Sequence, residues 1–362
     1  MKRMLFIRYK NPAKVSEGGE IGTQMKINVL YRLLGQENVD LYCIHDDNRK
    51  RKISEYIKGL FWFPFGYFFG LTPKRVKEIL SISERYDYIF IDRTVFGILA
   101  KKLKNNGYKG KVFCFFHNIE PLYFKAKLGK KPWRFIITRC VAKNDQWSCR
   151  YADHVISLNS RDGKEIEKRY GRYPDSIISL ALDDRYDKQD YPSGKTGKKP
   201  LCMCIGAYFK PNCDGIDWFI KNVYPHVNIK LRIVGKGMSK MTDNYQIPAD
   251  VELISDVPDL VPYYEEADIM TIPLFQGSGM KVKTCESLMY GKNIIASDEA
   301  LEGYELDYDR MGGRCNTAQE FIAAIHSFID NPRPRYNGYS RKVFLEKYST
   351  DSMTEAFKDI LN

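Results

Sequence analysis

The sequence predicts an α/β protein with two doubly wound parallel-sheet domains, and three observations support this. The chain has 362 residues, a length typical of two domains. Short apolar runs alternate with helix-forming segments, which is the order of parallel sheets flanked by helices. A polar stretch rich in Lys, Asp, Gly and Pro, residues 183–200, interrupts the alternation and marks a linker. We therefore assign residues 1–182 to a first domain, 201–345 to a second and 346–362 to a closing helical segment.

Apolar runs and helix-forming segments define the elements of the first domain. The predicted strands are Met4–Ile7, Val39–Ile44, Tyr88–Ile91, Val112–Phe116 and His154–Leu158. The predicted helices are Met25–Leu34, Lys50–Lys58, Pro132–Tyr151 and Arg161–Tyr170, the last with Ser160 as its N-cap. A polar loop, Arg8–Gln24, separates the first strand from the first helix.

The second domain repeats this alternation. Its predicted strands are Leu201–Ile205, Leu231–Val234, Val251–Ile254, Ile269–Leu274 and Ile294–Ala296. Its predicted helices are one that holds Trp218 and Phe219, then Leu260–Ala267, a helix from Met280 that Gly291 ends, and Thr350–Leu361.

Composition limits the classes of partner and compartment. The net charge of +12 permits nucleic acid, an anionic membrane or a phosphorylated substrate. Because the basic residues are dispersed and no RNA- or DNA-binding motif is present, we predict no nucleic-acid partner. Nine cysteines without a C-x-x-C pattern fit a reducing cytoplasm, and five scattered histidines without H-x-x-x-H predict no metal site. The N-terminus lacks the apolar core of a signal peptide, and no stretch reaches the roughly 20 apolar residues of a membrane span.

The stretch from Gly277 to Gly303 carries the clearest chemical signal. Gly277, Ser278 and Gly279 form a small-residue loop between a buried strand and a helix, where free backbone N–H groups and the helix dipole favour a phosphate. Lys281 and Lys283 place two cations at the helix start, where a bound anion would offset their unfavourable interaction with the dipole. The spacing alone leaves open the alternative of two solvated lysines and a surface Glu286.

The same stretch resembles the donor-site motif of the family 4 glycosyltransferases. The matching string is G-S-G-M-K-V-K-x-x-E, from Gly277 to Glu286, followed by Glu302 and Gly303. The resemblance implies a retaining, metal-independent enzyme of the GT-B fold, with two Rossmann-like domains facing a cleft and a C-terminal helix that crosses back to the first domain. It also implies that Glu286 binds the nucleotide ribose and that Lys283 neutralises the donor diphosphate. Ser278 stands where many members carry an acidic residue, so sugar identity is not transferable.

Further segments resemble the same family and extend the predicted site. Gly18 and Gly19 match a loop that faces the substrates, and His117, in H-N-x-E, matches a histidine that faces the sugar; the alternative is a histidine capping the next helix. In the second domain, Lys210, in G-x(4)-P-N, is a predicted diphosphate cation, or else a solvated loop lysine. The remaining predicted donor contacts are Gly235, Ser255, Asp256 and the loop residues Ser278, Gly279, Met280 and Lys281.

These observations predict transfer of a sugar from a UDP- or GDP-sugar, with no cofactor, to a hydroxyl of a glycan or lipid-linked acceptor in cell-surface polysaccharide synthesis. The catalytic residues would be His117, Lys283 and Glu286. Two alternatives remain open. A nucleotide-sugar epimerase of the same fold would isomerise the donor when incubated with it alone. A basic nucleic-acid binder would shift random oligonucleotides in a salt-dependent manner.

An aromatic segment, Gly59–Leu71, predicts either core packing or contact with a membrane. It holds seven aromatic residues and is broken by Pro64 and Gly66, and basic residues flank it on both sides. Aromatic rings beside Lys and Arg are typical of a membrane interface, which would place the enzyme peripherally on the inner face of the cell membrane. The alternative is a hydrophobic patch packed against the first sheet.

Overall fold

The computed structural model describes residues 2–10, 18–45, 61–131, 133–186, 199–277 and 279–361, and the chain divides into two compact units. One unit is Met1–Ser179 together with Met353–Asn362, and the other is Leu180–Ser352. Within these ranges, no helix is long and apolar enough to cross a membrane. The predicted helix Lys50–Lys58 lies outside the described residues.

The first unit is a parallel sheet flanked by helices. Its strands are β1 (Met4–Lys10), β2 (Val39–His45), β3 (Tyr88–Ile91), β4 (Lys111–Phe116), β5 (His154–Ser157) and β6 (Ser176–Ile177), in the order β2-β1-β3-β4-β5-β6. Its helices are α1 (Gly18–Leu34), α2 (Pro73–Ser83), α3 (Ile98–Asn105), α4 (Glu120–Leu128), α5 (Arg134–Tyr151) and α6 (Ser160–Tyr170). The strand order reverses between β1 and β3, and open α/β sheets bind ligands beside the strand ends at such a reversal.

The second unit is a second parallel sheet. Its strands are β7 (Leu201–Ile205), β8 (Lys230–Gly235), β9 (Glu252–Ser255), β10 (Ile269–Ile272), β11 (Asn293–Ala296) and β12 (Gly312–Arg314), in the order β12-β11-β10-β7-β8-β9. Its helices are α7 (Lys210–Asn222), α8 (Val261–Glu266), α9 (Val282–Met289), α10 (Tyr308–Met311), α11 (Ala318–Asp330) and α12 (Gly338–Val343), and α13 (Thr350–Leu361) follows them. The reversal lies between β7 and β10. The predicted doubly wound α/β architecture is confirmed in both units.

Several helix starts differ from the sequence prediction, including those of α5, at Arg134 rather than Pro132, and α8, at Val261 rather than Leu260. Helix α1 begins at Gly18 rather than Met25, because first-turn N–H groups need no partner within the helix and Glu20 there suits the dipole. Helix α7 begins at Lys210, with Pro211 in the first turn where its missing N–H costs nothing. Helix α9 begins at Val282 rather than Met280. The N-cap of α6 is Asn159 rather than Ser160, since the Asn159 side chain accepts a 2.8 Å hydrogen bond from the Asp162 N–H.

The aromatic segment Gly59–Leu71 divides between the core and the surface over its described part, 61–71. Phe63, Phe68 and Leu71 are buried in the first core, as the packing alternative predicted. Phe61 and Phe65 point outward, 67% and 56% exposed. Gly66 adopts a φ of +89°, and a Cβ there would lie 2.2 Å from the Trp147 ring, so glycine is required at this turn.

Candidate functional site

Lys283 lies at the reversal point of the second sheet, beside the ends of β7 and β10. A small recess there is lined by Cys204, Ile205, Asn212, Ile216, Thr271, Ile272, Pro273, Leu274 and Lys283. The Lys283 Nζ donates a 2.8 Å hydrogen bond to Asn212 Oδ1, and Asn212 Nδ2 donates to the carbonyl of Ala207 at 2.9 Å. Asn212, in the first turn of α7, therefore holds the Lys283 ammonium beside the ends of the strands.

This lysine has no matching carboxylate. Among the described residues, no Asp or Glu oxygen lies within ion-pair distance of its Nζ. Burial lowers the pKa of Lys283 to about 8, and the nearby Lys281 charge acts in the same direction. A buried ammonium held by one neutral amide is stabilised by an anion.

The glycines at this edge allow backbone segments to approach closely. A Cβ on Gly206 would lie 3.0 Å from Lys283 Nζ and 2.9 Å from Asn212 Nδ2. A Cβ on Gly235 would lie 1.8 Å from the carbonyl oxygen of Gly206, which no side chain can tolerate. The ends of β7 and β8 therefore pack backbone to backbone, and the loops that follow them remain narrow.

Asp256 holds the loop after β8 in place. It is the one non-glycine residue with positive φ in the described chain, at +57°. Its Oδ1 accepts a 2.9 Å hydrogen bond from the N–H of Gly237, and its own N–H donates to the carbonyl of Gly235. The Ser255 hydroxyl donates to Oδ2, and this contact, followed by the Gly237 N–H, lowers the pKa of Asp256. Ser255 and Asp256 thus brace the Gly235–Gly237 turn.

Glu286 follows Lys283 by one helical turn on α9. Its Oε2 accepts a 2.9 Å hydrogen bond from the Tyr264 hydroxyl, and the Tyr264 ring stacks on Tyr290 at 4.6 Å. Burial raises the pKa of Glu286, while the Tyr264 hydrogen bond and the charges of Arg185 and Lys283 oppose that rise. The carboxylate is oriented through one oxygen, which leaves the other for a further donor.

The other lysines predicted for the donor site already have acidic partners. Lys281 precedes α9, and its Nζ lies 2.7 Å from Glu299 and 3.8 Å from Glu302. Lys210 is 79% exposed and bonds both carboxylate oxygens of Asp214, at 2.9 and 2.8 Å. Gly279 adopts a φ of +67° in the loop before Met280 and Lys281, and Ser278 lies outside the described residues.

His117 follows β4 in the first unit and forms a buried cluster with two residues that the sequence analysis missed. Its Nε2 lies 2.9 Å from Lys26 Nζ on α1 and 3.1 Å from Asp92 Oδ1 at the end of β3. Lys26 and Asp92 are themselves 2.7 Å apart, and the Thr23 hydroxyl donates to Asp92 Oδ2 at 2.7 Å. The alternative that His117 caps the next helix is wrong, because the N-cap of α4 is Ile119.

Burial and mutual charge set the ionisation of this cluster. Burial, reinforced by the Lys26 charge, lowers the pKa of His117 to about 4. Burial lowers the pKa of Lys26 to about 8, although the Asp92 carboxylate opposes it. Burial alone would raise the pKa of Asp92, but Lys26 and His117 hold it well below its usual range. At neutral pH the cluster is an ion pair beside a neutral imidazole.

Gly18 and Gly19 form the first residues of α1, next to a second set of charges. A Cβ on Gly19 would lie 3.2 Å from the Arg93 guanidinium. Glu20 lies 3.6 Å from Arg8 and 3.5 Å from Arg93. The first turn of α1 is therefore fixed against the ends of β1 and β3, at the reversal of the first sheet.

Two signals in the sequence could have identified Lys26 and Asp92. Thr23, Lys26, Ile27 and Leu30 share the i, i+3, i+4, i+7 spacing of one helix face, and all four are buried. Asp92 directly follows the apolar run of β3, where polar groups of an open sheet meet ligands. Lys26 was overlooked because one lysine in a helix is usually solvated.

Glu120, the acidic residue of the H-N-x-E segment, pairs with Asp145 on α5 rather than facing solvent. The N–H of Glu120 donates to Asp145 Oδ2 at 3.2 Å, and so does the Tyr170 hydroxyl. Glu120 Oε1 and Asp145 Oδ1 are buried without a hydrogen-bond partner. Burial raises the pKa of Glu120 to about 7. Burial, and after it the Glu120 charge, also raises the pKa of Asp145.

In the described chain, no group of three or more His, Cys, Asp or Glu residues could hold a metal ion.

Comparison with known proteins covers both the second unit and the whole fold. Residues 199–331 match the sequence model of the family described as Glycosyl transferases group 1. No curated protein sequence matches the chain. Sucrose-phosphate synthase from Thermosynechococcus elongatus superposes with a TM-score of 0.72 at 14% identity, over 100% of this chain and 98% of that one.

Two other solved structures are similar over almost their full length. Anabaena HepE in complex with UDP and glucose has a TM-score of 0.64 at 11% identity, covering 100% of this chain and 99% of that one. The lipopolysaccharide outer core galactosyltransferase WaaB has a TM-score of 0.66 at 12% identity, covering 99% of both chains. These similarities confirm the predicted GT-B fold.

Proposed function

Because residues 199–331 form a glycosyl transferases group 1 domain within a GT-B fold, we propose that the protein is a retaining glycosyltransferase. It transfers a sugar from a nucleotide-diphosphate donor to a hydroxyl acceptor. The observation that carries the proposal is Lys283, a buried ammonium without a carboxylate partner at the reversal of the second sheet. A nucleoside diphosphate supplies the missing negative charge.

The chemical demand of this reaction is negative charge on the departing diphosphate as the glycosidic bond breaks. Lys283 donates to a diphosphate oxygen, and the N-terminus of α9, with the loop residues Ser278, Gly279 and Met280, adds backbone donors. Lys210 and Lys281 belong to the same proposed surface, with their carboxylate partners moderating their charge. These groups stabilise the leaving group without a divalent cation.

The remaining residues position the donor. Glu286 accepts hydrogen bonds from the ribose hydroxyls through the carboxylate that Tyr264 orients. The turn at Gly235, braced by Ser255 and Asp256, presents backbone groups to the nucleotide base. His117 and the Gly18–Gly19 turn serve the sugar and the acceptor from the first unit. A UDP-sugar is the favoured donor, since HepE was solved with UDP and glucose, and a GDP-sugar is the alternative.

A donor panel tests the proposal. We expect UDP or GDP, and the corresponding sugar conjugates, to raise the melting temperature of the protein, and the nucleosides to raise it less. With donor and a glycan or lipid-linked acceptor, the product should keep the anomeric configuration of the donor, and EDTA should not reduce turnover. Isomerised donor without acceptor would instead establish an epimerase. Absence of any nucleotide effect would contradict the donor site.

We also propose that the acceptor lies at a membrane, because the first unit has a basic surface with outward apolar side chains. Residues 121–144 contain no Asp or Glu and hold seven cations, Lys125, Lys127, Lys130, Lys131, Arg134, Arg139 and Lys143. Outward apolar side chains accompany them, Leu122, Trp133, Phe135 and Ile136. Phe61 and Phe65 flank a turn that packs on α5, where Lys143 donates to the carbonyl of Pro64 at 3.1 Å. Such a surface fits an anionic leaflet.

Liposome sedimentation tests this docking. Wild type should sediment with phosphatidylglycerol vesicles at low salt, and Phe61→Ser with Phe65→Ser should abolish sedimentation without changing nucleotide binding. Trp62→Ser should contribute less because Trp62 is half-buried. Leu345→Ser, an exposed apolar residue of the second unit, is the control. Wild type that ignores these vesicles would exclude the membrane contact.

A further inference from the structure

The Lys26 ammonium has three neighbours, one for each of its N–H groups. Its Nζ lies 2.7 Å from Asp92 Oδ1, 2.9 Å from His117 Nε2 and 3.4 Å from the centre of the Phe115 ring. A carboxylate, an imidazole lone pair and an aromatic face all accept a hydrogen bond from an ammonium. Lys26 is 1% exposed, so these three contacts replace its hydration.

The same contacts decide which imidazole nitrogen of His117 carries the proton. A ring nitrogen either donates or accepts in the ring plane, and Nε2 faces both Lys26 and Asp92. A proton on Nε2 could be donated to Asp92 Oδ1 at 3.1 Å, but the shorter 2.9 Å contact with Lys26 would then join two donors, because an ammonium has no lone pair. With Nε2 unprotonated, Lys26 donates to both Nε2 and Asp92, and the 3.1 Å separation of Nε2 from Oδ1 reflects their shared donor.

The charges around His117 favour this arrangement. Lys26 and Glu20 face the cluster from α1, and Asp92 and Arg93 face it from the end of β3. Lys26 and Asp92 cancel each other, so protonation of His117 would leave a net positive charge among side chains that are almost fully buried. The imidazole stays neutral. The His117 side chain is only 6% exposed, and its Nδ1 has no hydrogen-bond partner among the described residues.

We propose that Lys26 and Asp92 are positioning residues that fix His117 as a neutral imidazole protonated on Nδ1, which donates a hydrogen bond to a substrate hydroxyl oxygen. His117 therefore does not act as a general base, because its unprotonated nitrogen is occupied by Lys26. The donor role rests on the proposed transferase function, whereas the tautomer belongs to the free protein. An experiment on the free protein can therefore test the tautomer independently of the transferase function.

Nitrogen-15 NMR of uniformly labelled protein tests the tautomer without any substrate. We expect His117, identified by loss of its signals in His117→Gln, to show a protonated Nδ1 and an unprotonated Nε2 between about pH 5 and 8, where an ordinary histidine titrates. In Lys26→Met the proton should move to Nε2, which then donates to Asp92. A wild-type His117 protonated on Nε2 would overturn the proposal, and so would a Lys26→Met spectrum unchanged from wild type.

Kinetics test the consequence. Lys26→Met should lower kcat roughly tenfold, the scale of one misplaced hydrogen bond, with little change in the KM for donor. The control is Lys104→Met, which removes a partly exposed lysine paired with Asp153 in the same unit. Should Lys26→Met fail to fold, the wild-type tautomer still decides. If His117 is protonated on Nδ1 but the protein has no transferase activity, the proposed function is contradicted and the tautomer assignment is not.

Discussion

The two sheet reversals of this protein satisfy their buried charges in opposite ways. In the first unit, Lys26, Asp92 and His117 satisfy one another and need no ligand for charge balance. In the second unit, Lys283 faces one neutral amide and no carboxylate. Under the proposed function, the second site accommodates the diphosphate, and the first contacts a neutral, hydroxyl-bearing sugar or acceptor.

The buried titratable groups outside these two sites also differ between the units. The first unit buries the carboxyl pair Glu120 and Asp145, with the pKa of both raised. The second unit buries Lys292, whose Nζ donates to the backbone carbonyls of Glu265 and Ala267, and burial lowers its pKa to about 7. The stability of the two units should consequently change with pH in opposite directions.

The largest expected effect comes from Gly235→Ala, which tests whether the second site depends on close backbone packing. The new Cβ would lie 1.8 Å from a backbone oxygen, so β7 and β8 must separate, at roughly 3 kcal/mol or more by analogy with overpacked cores. Urea unfolding measures the loss. Gly338→Ala, where the nearest atom would be 3.9 Å away, is the control and should be near neutral. Equal stability of the two variants would contradict the packing argument.

Glu120→Gln tests the carboxyl pair of the first unit. A carboxyl with a folded pKa of about 7, above its ordinary 4.5, stabilises the fold fully below pH 4.5, and this contribution is lost as pH rises through 7. The free energy of unfolding of the wild type should therefore fall by about 1.4 kcal/mol per pH unit between pH 4.5 and 7 because of this one proton. The variant lacks the proton and should not show this contribution. Hydrogen exchange of the β4 amides measures how the free energy of unfolding changes with pH. Identical slopes would show that Glu120 is ionised in the folded protein.

Lys292→Met is the counterpart in the second unit, with a smaller effect near neutral pH. A lysine with a folded pKa of about 7 against an ordinary 10.5 is penalised while charged, so stability rises as pH increases above 7. Exchange of the β11 amides between pH 7 and 9 should slow relative to the intrinsic rate in wild type and change less in the variant. A flat wild-type profile would contradict the lowered pKa.

The residues proposed for the second site were easier to recognise in the sequence than those of the first, because they lie closer together along the chain. Strands Tyr88–Ile91 and Leu201–Ile205 and the helix Thr350–Leu361 have the predicted bounds, since their apolar periods are uninterrupted. The donor motif occupies one contiguous loop and helix, so its residue types are visible together. No bounds were predicted for the helices α2, α3, α4, α10, α11 and α12 or for the strands β6 and β12.

The cluster of the first unit joins three distant positions. Lys26, Asp92 and His117 come from a helix and two strand ends, and only the folded sheet places them together. The carboxylate partners of Lys281 and Lys210 were also hidden, because an ion pair depends on rotamers and tertiary placement. Spacing predicts which backbone edge binds a ligand, whereas charge balance there is a property of the fold.

The most direct test of the central claim is calorimetric binding of a nucleoside diphosphate and of its nucleoside to three proteins: wild type, Lys283→Ala and Glu286→Ala. Lys283→Ala should weaken the diphosphate at least tenfold, as expected for about 2 kcal/mol from a charge-assisted hydrogen bond, and leave the nucleoside unchanged. Glu286→Ala should weaken both ligands, because both carry the ribose. Lys221→Ala, which removes an exposed lysine of α7 paired with Asp217, should match wild type. If Lys283→Ala binds the nucleoside diphosphate as tightly as wild type does, the second sheet reversal is not the donor site.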